Sequence, residues 1–407
     1  MGVTQAEATE YLREELGKDR ISWVLASTKA GAGHKRQARH LERYLKEYLH
    51  QEEVQTVDIS LESSSSFWVR WGTLMYNRYM QNSPRVYEQV EKILAWSGWK
   101  DILDKQVRAM ARPEVFSDIT DKRGTIVAGT HVAGVVSAVQ AGFPDVVEYV
   151  PDPWRGGSLR LMTSPERADN NHLTVVHDTA TAIRVRGMRV DGRAVLPWGT
   201  LSNPDFVLGE RKACEPMDRS RPLRVLVEMS GNSVSGYNEK IAEWMREAAG
   251  EISSGKIDLT IHCMHHKDIY GKLSGLTEEL GLEKSGNVHL QVGENLQEAI
   301  EGRERCITGK DDGRPPDVCI AKGGEVPLEE RGGMIVAMPW GWGHEGADLM
   351  AGVRQGTGID LRDTDVSEWL EKIRKKMEKR ERQEINNWSL MAVGMLIDPE
   401  YFGRIKA

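Results

Sequence analysis

The sequence predicts an α/β protein made of two Rossmann-like domains with parallel sheets. Three observations carry that expectation. Short apolar runs alternate with amphipathic stretches along most of the chain. The alternation breaks at a proline- and glycine-rich connector and then restarts. Several apolar runs end in glycine-containing loops that open a helix. Alternating strands and helices imply parallel strands joined by crossovers, with helices on both faces of each sheet. A chain of 407 residues is long enough for two such cores.

Ile21–Ser27 reads as the first strand and Thr28–Gly33 as a loop. From His34 onward Ala38, Leu41, Leu45, Tyr48 and Leu49 recur on one helical face. Val54–Ile59 is a second strand. Thr125–Ala128, the turn Gly129–His131 and a helix through Gln140 form another strand–helix unit. Val146–Val150 and Thr174–His177 follow as strands, and Leu196–Phe206 is the connector. The pattern restarts with the strand Leu223–Glu228, the loop Met229–Tyr237 and the helix Asn238–Ala249. Ile257–Cys263, Val288–Val292, Val318–Ala321 and Met334–Met338 are strands, and Lys272–Leu280 is a helix. The polar stretch between Gln297 and Pro316 reads as a surface loop, and Val366–Glu384 as a long charged helix. This places a first domain over residues 1–205 and a second over 206–385, with 386–407 returning to the first.

Apolar residues make up 40% and charged residues 28%, which excludes global disorder. A net charge of -7 lacks the electrostatic footprint of a dedicated nucleic-acid binder, so no nucleic acid is expected as a partner. Cys214, Cys263, Cys306 and Cys319 show no paired short spacing, and Met1–Lys18 is polar and acidic rather than a secretory leader. Reduced thiols and a cytoplasmic location are the expectation. No apolar run approaches the roughly 20 residues that span a bilayer, so any membrane contact is peripheral. His262, His265 and His266 surround Cys263 but lack a matched fourth ligand, and they read as strand and loop residues rather than a metal site. Neither metal nor resident cofactor is expected.

The first constellation is Lys29-Ala-Gly-Ala-Gly-His34, between a strand and a helix. In open α/β sheets ligands bind at that edge. Gly31 and Gly33 let backbone approach a ligand, and the helix start offers free N–H groups and partial positive charge. The loop is neither a dinucleotide fingerprint nor a Walker loop. A histidine with an ordinary pKa near 6.5 suits proton transfer near neutrality, which makes His34 the candidate base; a helix-start histidine facing solvent is the plain alternative. The second constellation lies in the other half. Asp317–Gly324 (DVCIAKGG) is a strand running into a glycine turn. Met338–Asp348 (MPWGWGHEGAD) then leads through Leu349 to Gly356-Thr-Gly358.

The two constellations, in this order, resemble the monogalactosyldiacylglycerol synthase and processive diacylglycerol glucosyltransferase family, which is related to the peptidoglycan N-acetylglucosaminyltransferase. The first is similar to that family's Gly-Gly/Asn-Gly-His element. The second is similar to its D-L-V-I-T-K-P-G-G element and its P-x-x-G-Q-E-x-x-N pattern, with His344 in place of Gln and Asp348 in place of Asn. The resemblance implies a GT-B fold, two Rossmann-like domains facing a central cleft. It also implies inverting, metal-independent transfer of a sugar from a nucleotide diphosphate sugar to a lipid or other hydroxyl acceptor. Lys322, Gly323 and Gly324 would then hold the diphosphate, Glu329 or Glu330 the ribose, and His344, Glu345 and Asp348 the sugar. The chain is about three residues shorter than the family pattern before the Met334 strand.

Supporting positions follow from the same frame. Gly231 lies in the loop after the first strand of the second domain, and Val292 is the position expected at the nucleotide base. His131 and Asp152 end strands at the same sheet edge as His34, where an acceptor would be oriented. Phe67–Trp99 interleaves Phe67, Trp68, Trp71 and further aromatics with Arg70, Arg78 and Arg85, a composition that suits either an anionic membrane interface or an aromatic helix pair. The expected partners are a nucleotide sugar donor, a lipid or glycan acceptor and an anionic membrane surface. The rival readings are a sugar-nucleotide epimerase of similar architecture and a catalytically silent subunit that binds nucleotide sugar and recruits a partner to membranes.

Overall fold

The computed structural model describes residues 4–18, 21–28, 32–59, 89–90, 92–93, 97–150, 157–189, 193–208, 221–229, 235–310, 314–322, 334–340, 349–350, 352–353, 356–379 and 388–403. Two six-stranded parallel sheets organise the chain. One compact unit takes residues 1–210 and 386–407, and the other takes 211–385.

In the first unit the strands are β1 (Ser22–Thr28), β2 (Val54–Ile59), β3 (Thr125–Gly129), β4 (Asp145–Tyr149), β5 (Asn171–Val175) and β6 (Ala194–Leu196), in the order β2-β1-β3-β4-β5-β6. The longer α-helices among the described residues are α1 (Gln5–Leu16), α2 (Ala32–Arg43), α3 (Lys100–Arg108), α4 (Val132–Gln140) and α5 (Thr179–Met188). β1 is buried from Trp23 onward, as a central parallel strand covered on both faces should be. The chain runs outward from β1 to β2, then returns to β3 on the other side of β1. The strand order therefore reverses between β1 and β3. α4 is built from small and β-branched residues and sits directly on β1. A Cβ at Gly134 would lie 2.8 Å from the Ala26 Cβ and 3.0 Å from its carbonyl oxygen, an approach only glycine allows.

α1 is not apparent as a helix from its polar composition. A capping box between Thr4 and Glu7 starts it, and Ala8, Leu12 and Leu16 bury one face. The C-terminal residues pack in the same core. The Tyr44 hydroxyl donates to the Met391 sulfur at 3.1 Å, Tyr149 donates to the Ser389 carbonyl at 3.2 Å, and Ser389 donates to the Thr200 carbonyl at 2.6 Å. Leu12, Trp23, Leu41, Trp388 and Phe402 are members of that cluster.

In the second unit β7 (Leu223–Glu228), β8 (Ile257–His262), β9 (Val288–Gln291), β10 (Val318–Lys322), β11 (Ile335–Trp340) and β12 (Gly358–Asp360) are ordered β12-β11-β10-β7-β8-β9. The longer α-helices among the described residues are α6 (Ser235–Ser253), α7 (Lys267–Glu279), α8 (Leu296–Thr308) and α9 (Trp369–Glu378). Here the order reverses between β7 and β10. The core joins Val225, Ile241, Trp244, Leu259, Ile320, Ile335 and Trp369.

Three sequence expectations need correction. The polar stretch after Gln297 is not a surface loop but most of α8, capped by Asn295 accepting from the Glu298 N–H and ended by Gly309 with φ of 64°. Its buried face is Ala299, Ile300, Arg303 and Ile307, a helical stripe that the surrounding charges concealed. β5 begins at Asn171 and ends at Val175, so the strand expected at Thr174–His177 lies earlier: His172 and Thr174 are buried polar residues inside it. The charged helix after Val366 is a short 3-10 turn, Val366–Glu368, followed by α9 to Glu378.

Candidate functional site

The reversal point of the first sheet brings two histidines together. β1 leads towards α2 and β3 towards α4, so the starts of both helices meet at the C-terminal edge. His34 stands in the first turn of α2, and His131 is the N-cap of α4. Thr130 joins the two. Its N–H donates to the Ala26 carbonyl at 3.0 Å, and its hydroxyl donates to the His34 carbonyl at 3.1 Å. Its own carbonyl lies 2.6 Å from His34 Nδ1. A carbonyl only accepts, so Nδ1 carries the proton and Nε2 carries a lone pair.

His131 has the opposite tautomer. Its Nδ1 accepts from the Ala133 N–H at 3.1 Å, which places the proton on Nε2. The two rings meet edge to face, centroids 4.7 Å apart and planes at 86°. His34 is pulled down from its ordinary value to about 4 by burial, against which the Thr130 bond works weakly. His131 is held well below its ordinary value by burial first and by its neighbour second. Both rings are therefore neutral near pH 7. A neutral imidazole with a lone pair on Nε2, at a sheet edge where ligands bind, is equipped to take a proton. Next to it, Lys35 pairs with Asp58 at 3.1 Å, and Ser27 donates to Asp58 at 2.6 Å, which ties the start of α2 to β2.

The reversal point of the second sheet holds Lys322 and a buried ion pair. Lys322 ends β10 and is 6% exposed. The pairing of β10 with β11 shifts register between Ile320 and Lys322, an irregularity of the kind that re-aims a side chain. On the neighbouring strand Glu228, the last residue of β7, stands opposite Ala321. Its carboxylate is bound by Arg303 of α8, both side chains 1% exposed. Val292 directly follows β9, two strands beyond β7 on the same edge.

Among the sequence-predicted site residues, the structure describes Gly33, His34, His131, Val292 and Lys322. It brings His34 and His131 into contact, and it separates Val292 from Lys322 by the width of β8 and β7. Gly31, Asp152, Gly231, Gly323, Gly324, Glu329, Glu330, His344, Glu345 and Asp348 lie outside the described residues, as do Phe67, Trp68 and Trp71. Sequence reasoning missed Thr130, although it lies between two residues already singled out, and it missed the Glu228–Arg303 pair. His262 ends β8, and His265 and His266 follow in the turn before α7. Among the described residues no group of three or more His, Cys, Asp or Glu is placed to hold a metal ion. Among them, too, no helix is long and apolar enough to cross a membrane.

No protein-family profile and no curated protein matches this sequence. Solved structures do. A putative UDP-N-acetylglucosamine 2-epimerase from Listeria monocytogenes is 11% identical, with a TM-score of 0.53 over 95% of this chain and 98% of its own. The UDP-GlcNAc 2-epimerase of Neisseria meningitidis, solved bound to UDP-GlcNAc, is 10% identical, with a TM-score of 0.51 over 94% of this chain and 100% of its own. MurG of Acinetobacter baumannii is 12% identical, with a TM-score of 0.46 over 92% of this chain and 99% of its own. At such identities the likeness speaks to architecture alone. With two parallel sheets in separate units, each reversing strand order at its centre, this chain has the GT-B fold.

Proposed function

We propose that the protein is an inverting glycosyltransferase that uses a uridine diphosphate sugar and a hydroxyl acceptor. The observation that carries this reading is the His34 imidazole: neutral, with Nδ1–H fixed on the Thr130 carbonyl and the Nε2 lone pair left for a proton. Inversion in one displacement needs such a base as the acceptor oxygen attacks and the diphosphate departs. The donor is assigned to the second unit. Lys322 at the reversal point supplies positive charge, and the helix start after β7 supplies backbone N–H groups, the means by which a leaving diphosphate is stabilised without a resident metal. UDP-GlcNAc, bound in the Neisseria structure, is a donor of this class.

The acceptor is assigned to the first unit and read as a lipid or glycan. The aromatic and arginine-rich composition of Phe67–Trp99 supports a lipid surface, as do Ile93 and Ile102, which are 54% and 45% exposed at and just beyond its end. One specific observation favours a second reading. The Listeria and Neisseria structures, with TM-scores of 0.53 and 0.51, are both named as UDP-GlcNAc 2-epimerases, the first as a putative one.

One experiment separates the two. The full chain is incubated with UDP-glucose, UDP-galactose and UDP-GlcNAc, each alone and with a lipid and glycan extract, with and without EDTA. Release of UDP that needs the extract and survives EDTA supports the transferase. Interconversion of UDP-GlcNAc and its 2-epimer without the extract supports the epimerase. Turnover of no nucleotide sugar overturns both enzymatic readings.

A further inference from the structure

The two histidines at the first reversal point are a matched pair rather than one base and one bystander. Both δ nitrogens are tied to the same turn, His34 Nδ1 to the Thr130 carbonyl and His131 Nδ1 to the Ala133 N–H. Both ε nitrogens consequently face away from that turn. Neither has a hydrogen-bond partner among the described residues. The backbone has given them opposite characters: His34 Nε2 is an acceptor, and His131 Nε2–H is a donor. The ring centroids are 4.7 Å apart. Rings this close can present both ε nitrogens to one small group that donates to one and accepts from the other.

We propose that His34 and His131 together bind one neutral hydroxyl group, which donates its proton to His34 Nε2 and accepts a hydrogen bond from His131 Nε2–H. The inference rests on the transferase reading for its role in catalysis, and it deepens that reading by adding His131 as the residue that positions the acceptor hydroxyl on His34. Charged groups fail the match. A carboxylate has no proton for His34 Nε2 at neutral pH and sets lone pair against lone pair. To meet it, His34 would have to become a cation where burial opposes the charge. An ammonium has no lone pair for His131 Nε2–H. A hydroxyl carries both complements at neutral pH, as does the water it would displace. His131 fixes the direction of the O–H bond along the line of proton transfer and leaves an oxygen lone pair for attack.

Capping and hydroxyl binding by His131 are separable by substitution. In His131→Asn the amide oxygen takes the place of Nδ1 and keeps the N-cap bond, but the side chain is too short to place a donor at the Nε2 position. In His131→Gln the terminal amide nitrogen replaces the Nε2 donor, and the cap is lost.

The test uses the full chain labelled with 15N-histidine, whose two-bond 1H–15N spectra report tautomers directly. The His34 and His131 signals are assigned from His34→Gln and His131→Asn. The expected result at pH 7 is Nδ1–H for His34 and Nε2–H for His131. Glycerol, as a simple neutral alcohol, should shift the Nε2 signals of both rings, and acetate, which at pH 7 has no proton to donate, should shift neither. In His131→Asn the glycerol shift at His34 should fall severalfold while the melting temperature holds, and His131→Gln should restore most of it. Equal tautomers, a larger response to acetate than to glycerol, or a His34 response indifferent to His131→Asn would overturn the proposal. Failure of the transferase reading shows separately: the rings would respond to glycerol while no nucleotide sugar is turned over.

Discussion

His34 and Thr130 are joined twice, by the ring N–H of His34 on the Thr130 carbonyl at 2.6 Å and by the Thr130 hydroxyl on the His34 carbonyl at 3.1 Å. One residue thus sets both the tautomer of the imidazole and the position of the helix start that carries it. Thr130→Val deletes only the hydroxyl bond. We expect a loss of about 0.5–1.5 kcal/mol in urea unfolding of the first unit, the net worth of one hydrogen bond. Turnover should fall by more than that stability change accounts for, and Thr130→Ser should recover it. Unchanged turnover in Thr130→Val would separate the threonine from the site.

Acid stability should carry the signature of histidines buried in the neutral form. His34 and His262 are each lowered to about 4 by burial, and His131 lies well below 6.5 for the same first reason. Between pH 6.5 and about 4 the unfolded chain binds protons on these residues and the folded chain does not. Stability is therefore full above pH 6.5 and is lost as pH falls through this window. The melting temperature should drop across that range, and His34→Gln combined with His262→Gln should flatten the drop. A melting temperature that rises on acidification from pH 6.5 to 4 would contradict the assignment.

The Glu228–Arg303 pair ties the end of β7 to α8 with both side chains out of water. Removing one partner takes a buried counter-charge away from the other. Arg303→Ala should cost about 3–5 kcal/mol, whereas the double replacement Glu228→Gln, Arg303→Met should cost much less. Chemical unfolding of the three proteins checks this. A single variant as mild as the double one would show that the pair is solvated.

We propose Lys322 as a partner of the donor diphosphate. A charge-assisted hydrogen bond is worth about 1.5–3 kcal/mol. Lys322→Met should therefore weaken uridine diphosphate binding by about tenfold or more in calorimetry, with little effect on uridine, which lacks the phosphates. Equal affinity for the diphosphate in both proteins would remove Lys322 from the site.

The sheets were legible in the sequence because their strands are short, apolar and bounded by glycine or charge: VLVE before Met229, VCIA before Lys322 and IVAG before Thr130 all fall on observed strands. The restart after the connector was legible for the same reason. What escaped was apolar pattern overwritten by charge. α8 hides a buried arginine in its core-facing stripe, and the need for that arginine comes from Glu228, about 75 residues away in sequence. α1 buries its face against residues 388–402, a partner no local window contains. His34 and His131 were each readable as ends of strand–loop–helix units. Their contact was not, because it depends on β3 returning to lie beside β1. Opposite tautomers belong to the backbone of Thr130 and Ala133 and leave no trace in residue type.

The measurement that bears most directly on the account is turnover and uridine diphosphate affinity on the same preparations of wild type and His34→Gln, at pH 7.5, with UDP-sugar and extract as above. The account predicts a fall in kcat of about 10²–10⁴, the usual loss for a general base, with diphosphate affinity unchanged within twofold and the fold intact by circular dichroism. Turnover equal to wild type in His34→Gln would contradict it.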